Sequence, residues 1–188
     1  KVCCFIARPD VSGGMRVIGI GHQIAKGMRA GTVVDIDAAE EAVRGAVDQA
    51  ERMAKERVEQ VLLSFSGGRP VSRLIDVETD IAGHEIGERD LKRALAQAHL
   101  LARRSIDGRE ILNAIPVGYC IDGTPGFREP RGMYGARLGL RLHVVSAEVG
   151  PLRNLKLLAE RCHLEIGALV VAPYASGMST LVEDEIDR

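Results

Sequence analysis

Three short strings in this chain hold residue types that could do chemistry: Gly19-Ile20-Gly21, Ser66-Gly67-Gly68-Arg69 and His84-Glu85. The first is half of a dinucleotide-binding fingerprint. The second could cradle a phosphate with its backbone N–H groups, and the third opens a zinc-protease helix motif. Each lacks the rest of its set. Gly19-Ile20-Gly21 lies inside a strand-like run rather than at a strand-to-helix turn, so close strand packing is expected there. No Gly-Lys-Ser/Thr follows Ser66, which leaves a plain turn, and no second histidine stands four residues after His84-Glu85. His22, His99, His143 and His163 are dispersed. The cysteines Cys3, Cys4, Cys120 and Cys162 form no Cys-x-x-Cys pair, and neighbours on a strand point to opposite faces. The expectation is buried reduced thiols, with no catalytic set and no metal site.

Composition narrows the function classes further. The formal net charge is −1 and aromatic residues make up 3%, without tryptophan, so neither a nucleic-acid groove nor a base-stacking platform is expected. No apolar run approaches the ~20 residues of a membrane helix, and no signal peptide is visible. The chain has 188 residues, enough for one domain or two small ones. It opens at Lys1 straight into a strand-like run and closes on an acidic string ending at Arg188, which reads as an excerpt from a longer polypeptide.

The elements that must carry any site follow from periodicity. Residues 2–7 and 16–24 read as strands joined by a glycine turn at 10–14. Residues 37–55 read as a helix with an apolar stripe through Ala39, Val43, Ala46, Val47, Ala50, Met53 and Ala54, with a cap at Asp37 and Glu40. Glu40/Arg44, Asp48/Arg52 and Glu51/Lys55 are expected ion pairs along it. A strand buried on both faces is expected at 58–65, and another strand at 71–79. A second helix spans 88–104 through Leu91, Ala94, Leu95, Ala98, Leu101 and Ala102. Strand-like runs at 110–121 and 138–145 follow, then a helix at 152–162, a strand at 169–172 and a helix start at Pro173. The pattern is α/β, with residues 71–146 as a strand-helix-strand-strand α+β insert and residues 1–70 and 147–188 as the host lobe.

Basic residues gather only as Lys92-Arg93 and Arg103-Arg104 on the second helix, and as Arg128 and Arg131 beside Glu129. They read either as a solvated face or as a protein-contact face, because arginine is enriched at interfaces.

The linker between the two strand-like runs is the most specific string. It reads Ile121-Asp122-Gly123-x-x-Gly126-x-Arg128-Glu129-Pro130-x-Gly132-Met133-x-Gly135-x-Arg137-Leu138. It resembles the inserted 1C subdomain of the FtsA family of bacterial cell-division proteins, within the actin-like ATPase superfamily. The resemblance extends through Gly27-x-x-x-Gly31-x-Val33-Val34-Asp35-Ile36, Arg161-Cys162-x-Leu164-Glu165, Pro173-x-Ala175-Ser176 and Leu181-x-Glu183-Asp184-Glu185.

That resemblance implies a partial actin-like (ribonuclease H-like) lobe with its inserted subdomain. It implies a filament-forming protein that anchors FtsZ to the membrane and recruits later division proteins, at the cytoplasmic side of the inner membrane and the septum. Self-association and partner contacts would fall to this part, with Arg93, Arg103, Arg104, Arg128 and Arg131 as candidate contacts. ATP with magnesium belongs to the intact parent, and Lys1 is the remnant of its first phosphate hairpin. The second lobe, the FtsZ site and the membrane helix fall outside this chain, so no enzyme activity, no cofactor and no tight ATP binding are expected of it. The family's central strand would precede Lys1, which leaves a gap with two unpaired edges in the host sheet. The sugar kinases, chaperone ATPases and pilus-assembly ATPases of the same superfamily are the alternatives. Gly87 stands where many relatives carry a threonine N-cap, and His163 where they carry a C-cap glycine, so a left-handed backbone is expected at His163.

Overall fold

The computed structural model describes residues 1–11 and 13–181. Ser12, within the first turn, and Glu183–Glu185 of the last family-like string lie outside them. The chain forms two compact units, one of Lys1–Gly68 with Gly150–Arg188 and the other of Arg69–Val149.

In the first unit, β1 (Val2–Pro9) and β2 (Met15–Gln23) make an antiparallel hairpin. Two short strands, β3 (Met28–Arg29) and β4 (Thr32–Val33), follow. They arise from a tight turn at Ala30 and Gly31, both at positive φ, and no apolar periodicity announces strands this short. Next comes α1 (Ile36–Ala54). Its N-cap is Asp35, not the expected Asp37: the Asp35 carboxylate accepts the N–H groups of Asp37 and Ala38, both at 3.2 Å.

The helix lies on the hairpin through Ala39, Ala42, Ala46 and Ala50, all buried. It comes so close that a Cβ on Gly19 would overlap the carbonyl oxygen of Ala50, and one on Gly21 that of Ala46. This is the packing role of Gly19-Ile20-Gly21. The contact is narrow, so Met53 at the helix end is exposed, against the expected stripe.

The first unit's second sheet pairs β5 (Gln60–Phe65) in parallel with β10 (Glu165–Val171). Among the described residues β1 pairs only with β2 and β5 only with β10, so each pair has edges without a strand neighbour. β5 is not buried on both faces: Phe65 is buried while Leu62 is 76% exposed. Of the expected α1 ion pairs, Glu40–Arg44 forms at 2.9 Å, whereas Glu51 instead accepts the Val58 N–H at 2.7 Å.

The second unit is a four-stranded antiparallel sheet. β6 (Val71–Asp80) pairs with β9 (Arg137–Glu148), and β9 with β7 (Arg109–Ile121). A short β8 (Thr124–Phe127), inside the expected linker, pairs with the end of β7. One face carries α2 (Glu88–Ser105). Leu138, Leu140, Leu142 and Val144 alternate along β9 into the core, facing Ala94, Ala98 and Ala102 of the helix. Leu95 packs against this core at its edge, but Leu101 is 44% exposed.

The chain then runs through α3 (Val149–Arg161) and, after β10, α4 (Ala172–Thr180), which has a proline in its first turn as expected. Arg161 holds the end of α3 to the start of α1, with Nη2 at 2.6 Å from Asp37 Oδ1 and Nε at 2.6 Å from Glu40 Oε2. Arg44 adds a bond to the Arg161 carbonyl at 2.7 Å. Beyond the clamp the helix ends in a Schellman arrangement. The Leu164 N–H reaches the Ala159 carbonyl at 3.0 Å and the His163 N–H the Glu160 carbonyl at 2.9 Å. His163 has φ of 59°, the left-handed conformation expected of it.

Two outcomes follow. Gly21→Ala should destabilise the chain by about 1–3 kcal/mol, because the methyl meets rigid helix backbone. Thermal unfolding by circular dichroism reads this as a lower midpoint, and an unchanged midpoint would show that the helix can move away at no cost. His163→Gly should stabilise by up to about 1 kcal/mol, less the entropy that glycine adds to the unfolded chain. Chemical denaturation of the variant checks the sign, and a loss would mean that the imidazole has a bonding role.

Candidate interaction surface

The second unit concentrates the family-like string and all five candidate arginines. Its construction begins at the buried start of α2. Gly87 is the N-cap, with extended backbone and no side chain to bond the helix. The arrangement is therefore half of a capping box: the Asp90 carboxylate accepts the Gly87 N–H at 3.1 Å, and no side chain answers from the cap, whose carbonyl takes the Asp90 N–H at 3.1 Å. Asp90 is 6% exposed and holds further partners. His84 Nε2 lies 3.2 Å from Oδ2 and Arg93 Nη2 lies 3.3 Å from Oδ1. Arg93 also donates to the Asp80 carbonyl at 2.6 Å, which ties the end of β6 to the helix. The Gly87 N–H holds the Asp90 carboxyl below the usual carboxylate range, with His84 and Arg93 adding to it against the effect of burial.

The string 122–137 folds onto that corner. Asp122 and Gly123 have φ of 49° and 84°, the two positive values of a type I′ turn between β7 and β8. The Asp122 carboxylate accepts the N–H groups of Ala136 at 2.9 Å and Arg137 at 2.8 Å, so one side chain holds both ends of the loop. Pro130 is fully buried. Gly132 turns at φ of 82° and donates to the Ile86 carbonyl at 3.0 Å, while the Ile86 N–H returns to the Met133 carbonyl at 2.8 Å. Gly135 has no room for a side chain, since a Cβ there would press on Ile121 Cγ2. Arg131 bridges Glu88 Oε2 and Glu129 Oε2, each at 3.0 Å. The loop is locked at both ends and in the middle. It leaves Met133 (41%) and Tyr134 (68%) exposed on a fixed frame.

The five arginines do not form one patch. Arg93 and Arg131 sit at the start of α2 and are engaged with Asp90 and with Glu88 and Glu129. Arg128 is exposed on the loop. Arg103 and Arg104 lie in the last turn of α2, exposed, with no ion pair among the described residues. Ten residues of helix separate Arg93 from Arg103, roughly 15 Å at 1.5 Å per residue. Lys1 is exposed at the head of β1. Sequence reasoning missed Asp90, His84 and Asp122 as the anchors. The signal for Asp90 was its place three residues after a weak N-cap. The described residues contain no group of acids, histidines or cysteines arranged to hold a metal, and no helix long and apolar enough to cross a membrane. Against the expectation of buried thiols, Cys3 is exposed and Cys4, Cys120 and Cys162 are half-buried; partial burial pushes the Cys4 and Cys162 thiols up.

Comparison with known proteins places this geometry. Residues 67–146 match the family model described as the SHS2 domain inserted in FtsA. The cell division protein FtsA of Rhizobium meliloti is 40% identical over the whole of this chain. The chain belongs to the FtsA family. FtsA of Neisseria meningitidis is 33% identical over the whole chain, and FtsA of Escherichia coli K12 is 30% identical over 98% of it. The chain spans less than half the length of these relatives, 44% of the first and 45% of the second. Among solved structures, the PilM-PilN type IV pilus biogenesis complex superposes with a TM-score of 0.62 over 94% of this chain and 46% of that one, at 14% identity. That likeness carries the fold: a mixed α/β, actin-like lobe with an SHS2 insertion.

The corner at Asp90 has a pH signature. A depressed carboxyl contributes stability above the unfolded carboxylate range, and that contribution is lost as pH falls through the lower folded value. Asp90→Ala should therefore cost stability at pH 7, and the gap to the parent should close below about pH 4. Thermal midpoints measured from pH 7 downward check this, and a gap independent of pH would show that the loss is one of packing alone.

Proposed function

We propose that this chain is the self-association and partner-binding part of an FtsA-type cell-division protein, with residues 71–146 as the docking insert and residues 1–70 and 147–188 as the host lobe. The observation that carries the reading is the locked loop. Asp122, Pro130, Gly132, Gly135 and Arg131 are spent on holding it, and it presents outward a fixed pair of large exposed side chains, Met133 and Tyr134. A fixed aromatic with an aliphatic neighbour is the kind of anchor that interfaces concentrate. Holding it rigid lowers the ordering cost of binding.

In this reading the chain is a binding component and not a catalyst. The protein at large holds ATP with magnesium, assembles into filaments, and links FtsZ to the inner membrane at the septum through segments other than these. Lys1 belongs to the phosphate side of that nucleotide site. Of the candidate arginines, Arg103, Arg104 and Arg128 serve contacts, while Arg93 and Arg131 shape the corner from which the loop projects.

Depleting the protein in its own bacterium should give long cells without septa. A copy carrying Met133→Ser with Tyr134→Ser should be made at normal abundance yet restore septation several-fold less well than the parent. Normal cell length after depletion would overturn the division reading. Full rescue by the double variant would overturn the role of the loop.

A further inference from the structure

The exposed side of α2 differs from that of α1. Along α1 the outward residues alternate in sign: Glu41, Arg44, Asp48 and Arg52. From Leu91 to Ile106 the second helix has no acidic residue, yet it has Lys92, Arg93, Arg103 and Arg104. Lys92 is paired with Glu88 at 3.8 Å and Arg93 with Asp90, which leaves Arg103 and Arg104 as the open charges. Beside them Leu100 and Leu101 are 52% and 44% exposed. Residues three and four apart share a helix face, so Leu100 adjoins Arg103 and Arg104, and Leu101 adjoins Arg104. The helix macrodipole accounts for two arginines in the last turn. It does not account for two adjacent leucines left in water beside them.

We propose that this end of α2 docks an acidic, leucine-bearing segment of a partner protein. The proposal rests on reading the second unit as a docking module and gives that module's partner a chemistry. Carboxylates would meet the Arg103 and Arg104 guanidinium groups, and aliphatic side chains would cover Leu100 and Leu101. The sheet face of a second copy of this unit offers a poor complement. Its outward acids on β6 are already engaged, Asp76 with Arg141 at 2.7 Å and Glu78 with Arg137 at 3.2 Å. A lipid surface is a poor complement too. An interfacial helix needs its broad apolar face free, and here that face lies on the sheet, with Ala94, Ala98 and Ala102 fully buried.

The test is a titration of the isotope-labelled full chain with a synthetic peptide of alternating leucine and glutamate, followed by amide chemical shifts. Saturable shifts should map to 96–107, and Arg103→Glu with Arg104→Glu should weaken binding by about tenfold or more at low salt. The neutral pair Arg103→Gln with Arg104→Gln should weaken it as well, which covers a charge reversal that unsettles the helix end. A glutamine version of the peptide should not bind. The proposal is overturned by no shifts at about 1 mM peptide, the weak end of specific binding, by shifts elsewhere, or by equal binding of either variant or of the glutamine peptide. Preferential binding to phosphatidylglycerol vesicles, or a concentration-dependent dimer that masks 96–107, would overturn it in favour of lipid or self-contact. Cell length after depletion is a separate readout. Normal division with specific peptide binding sinks the division reading alone, and lost division without peptide binding sinks this one alone.

Discussion

Alanine sets the distance between helix and sheet in both units, and the rest of the structure depends on that distance. Ala39, Ala42, Ala46 and Ala50 in α1, and Ala94, Ala98 and Ala102 in α2, place one small residue per turn along the contact. A methyl fills little volume, so the backbones come together until the opposing strand fills the space. In the first unit the strand gives way, with Gly19 and Gly21 under the helix. In the second it supplies the bulk, with Leu138, Leu140, Leu142 and Val144. Interiors pack at crystal-like density, so these are two solutions to one volume constraint.

The close approach of α2 explains why its first turn is so fully tied. A helix lying near the sheet brings Asp90 into the interior, where an unpaired carboxylate would be costly. Three donors surround it, and two of those residues reach across elements: His84 from the preceding turn, and Arg93 with its second bond to the Asp80 carbonyl. The loop 122–137 then builds on the same corner through Ile86. Core packing, cap electrostatics and the exposed loop are thus successive consequences of where the helix sits.

Local features were legible in the sequence, and long-range pairings were not. The two long helices announced themselves by period, and the left-handed turn at His163 by its place between a helix and a strand. Small strands such as β3, β4 and β8 were not legible, because turns create them. The exposure of Met53, Leu62 and Leu101 was misjudged, since an apolar period gives the direction of a face but not its width. At the surface, composition marked the arginines. It could not separate Arg103 and Arg104 from Arg131, whose partner Glu88 lies 43 residues away in sequence (131 minus 88).

One bond pair has a wider consequence. Ile86 exchanges backbone hydrogen bonds with Gly132 and Met133, so the β6–α2 connection and the β8–β9 connection form a single seam. An inserted or deleted residue on one side would slide the seam and disturb the other side. Tolerance for changes in chain length in this unit should therefore sit at connections that pair with nothing distant, such as the bend around Gly108. The two sides of the seam are free to diverge in residue type but not in residue count.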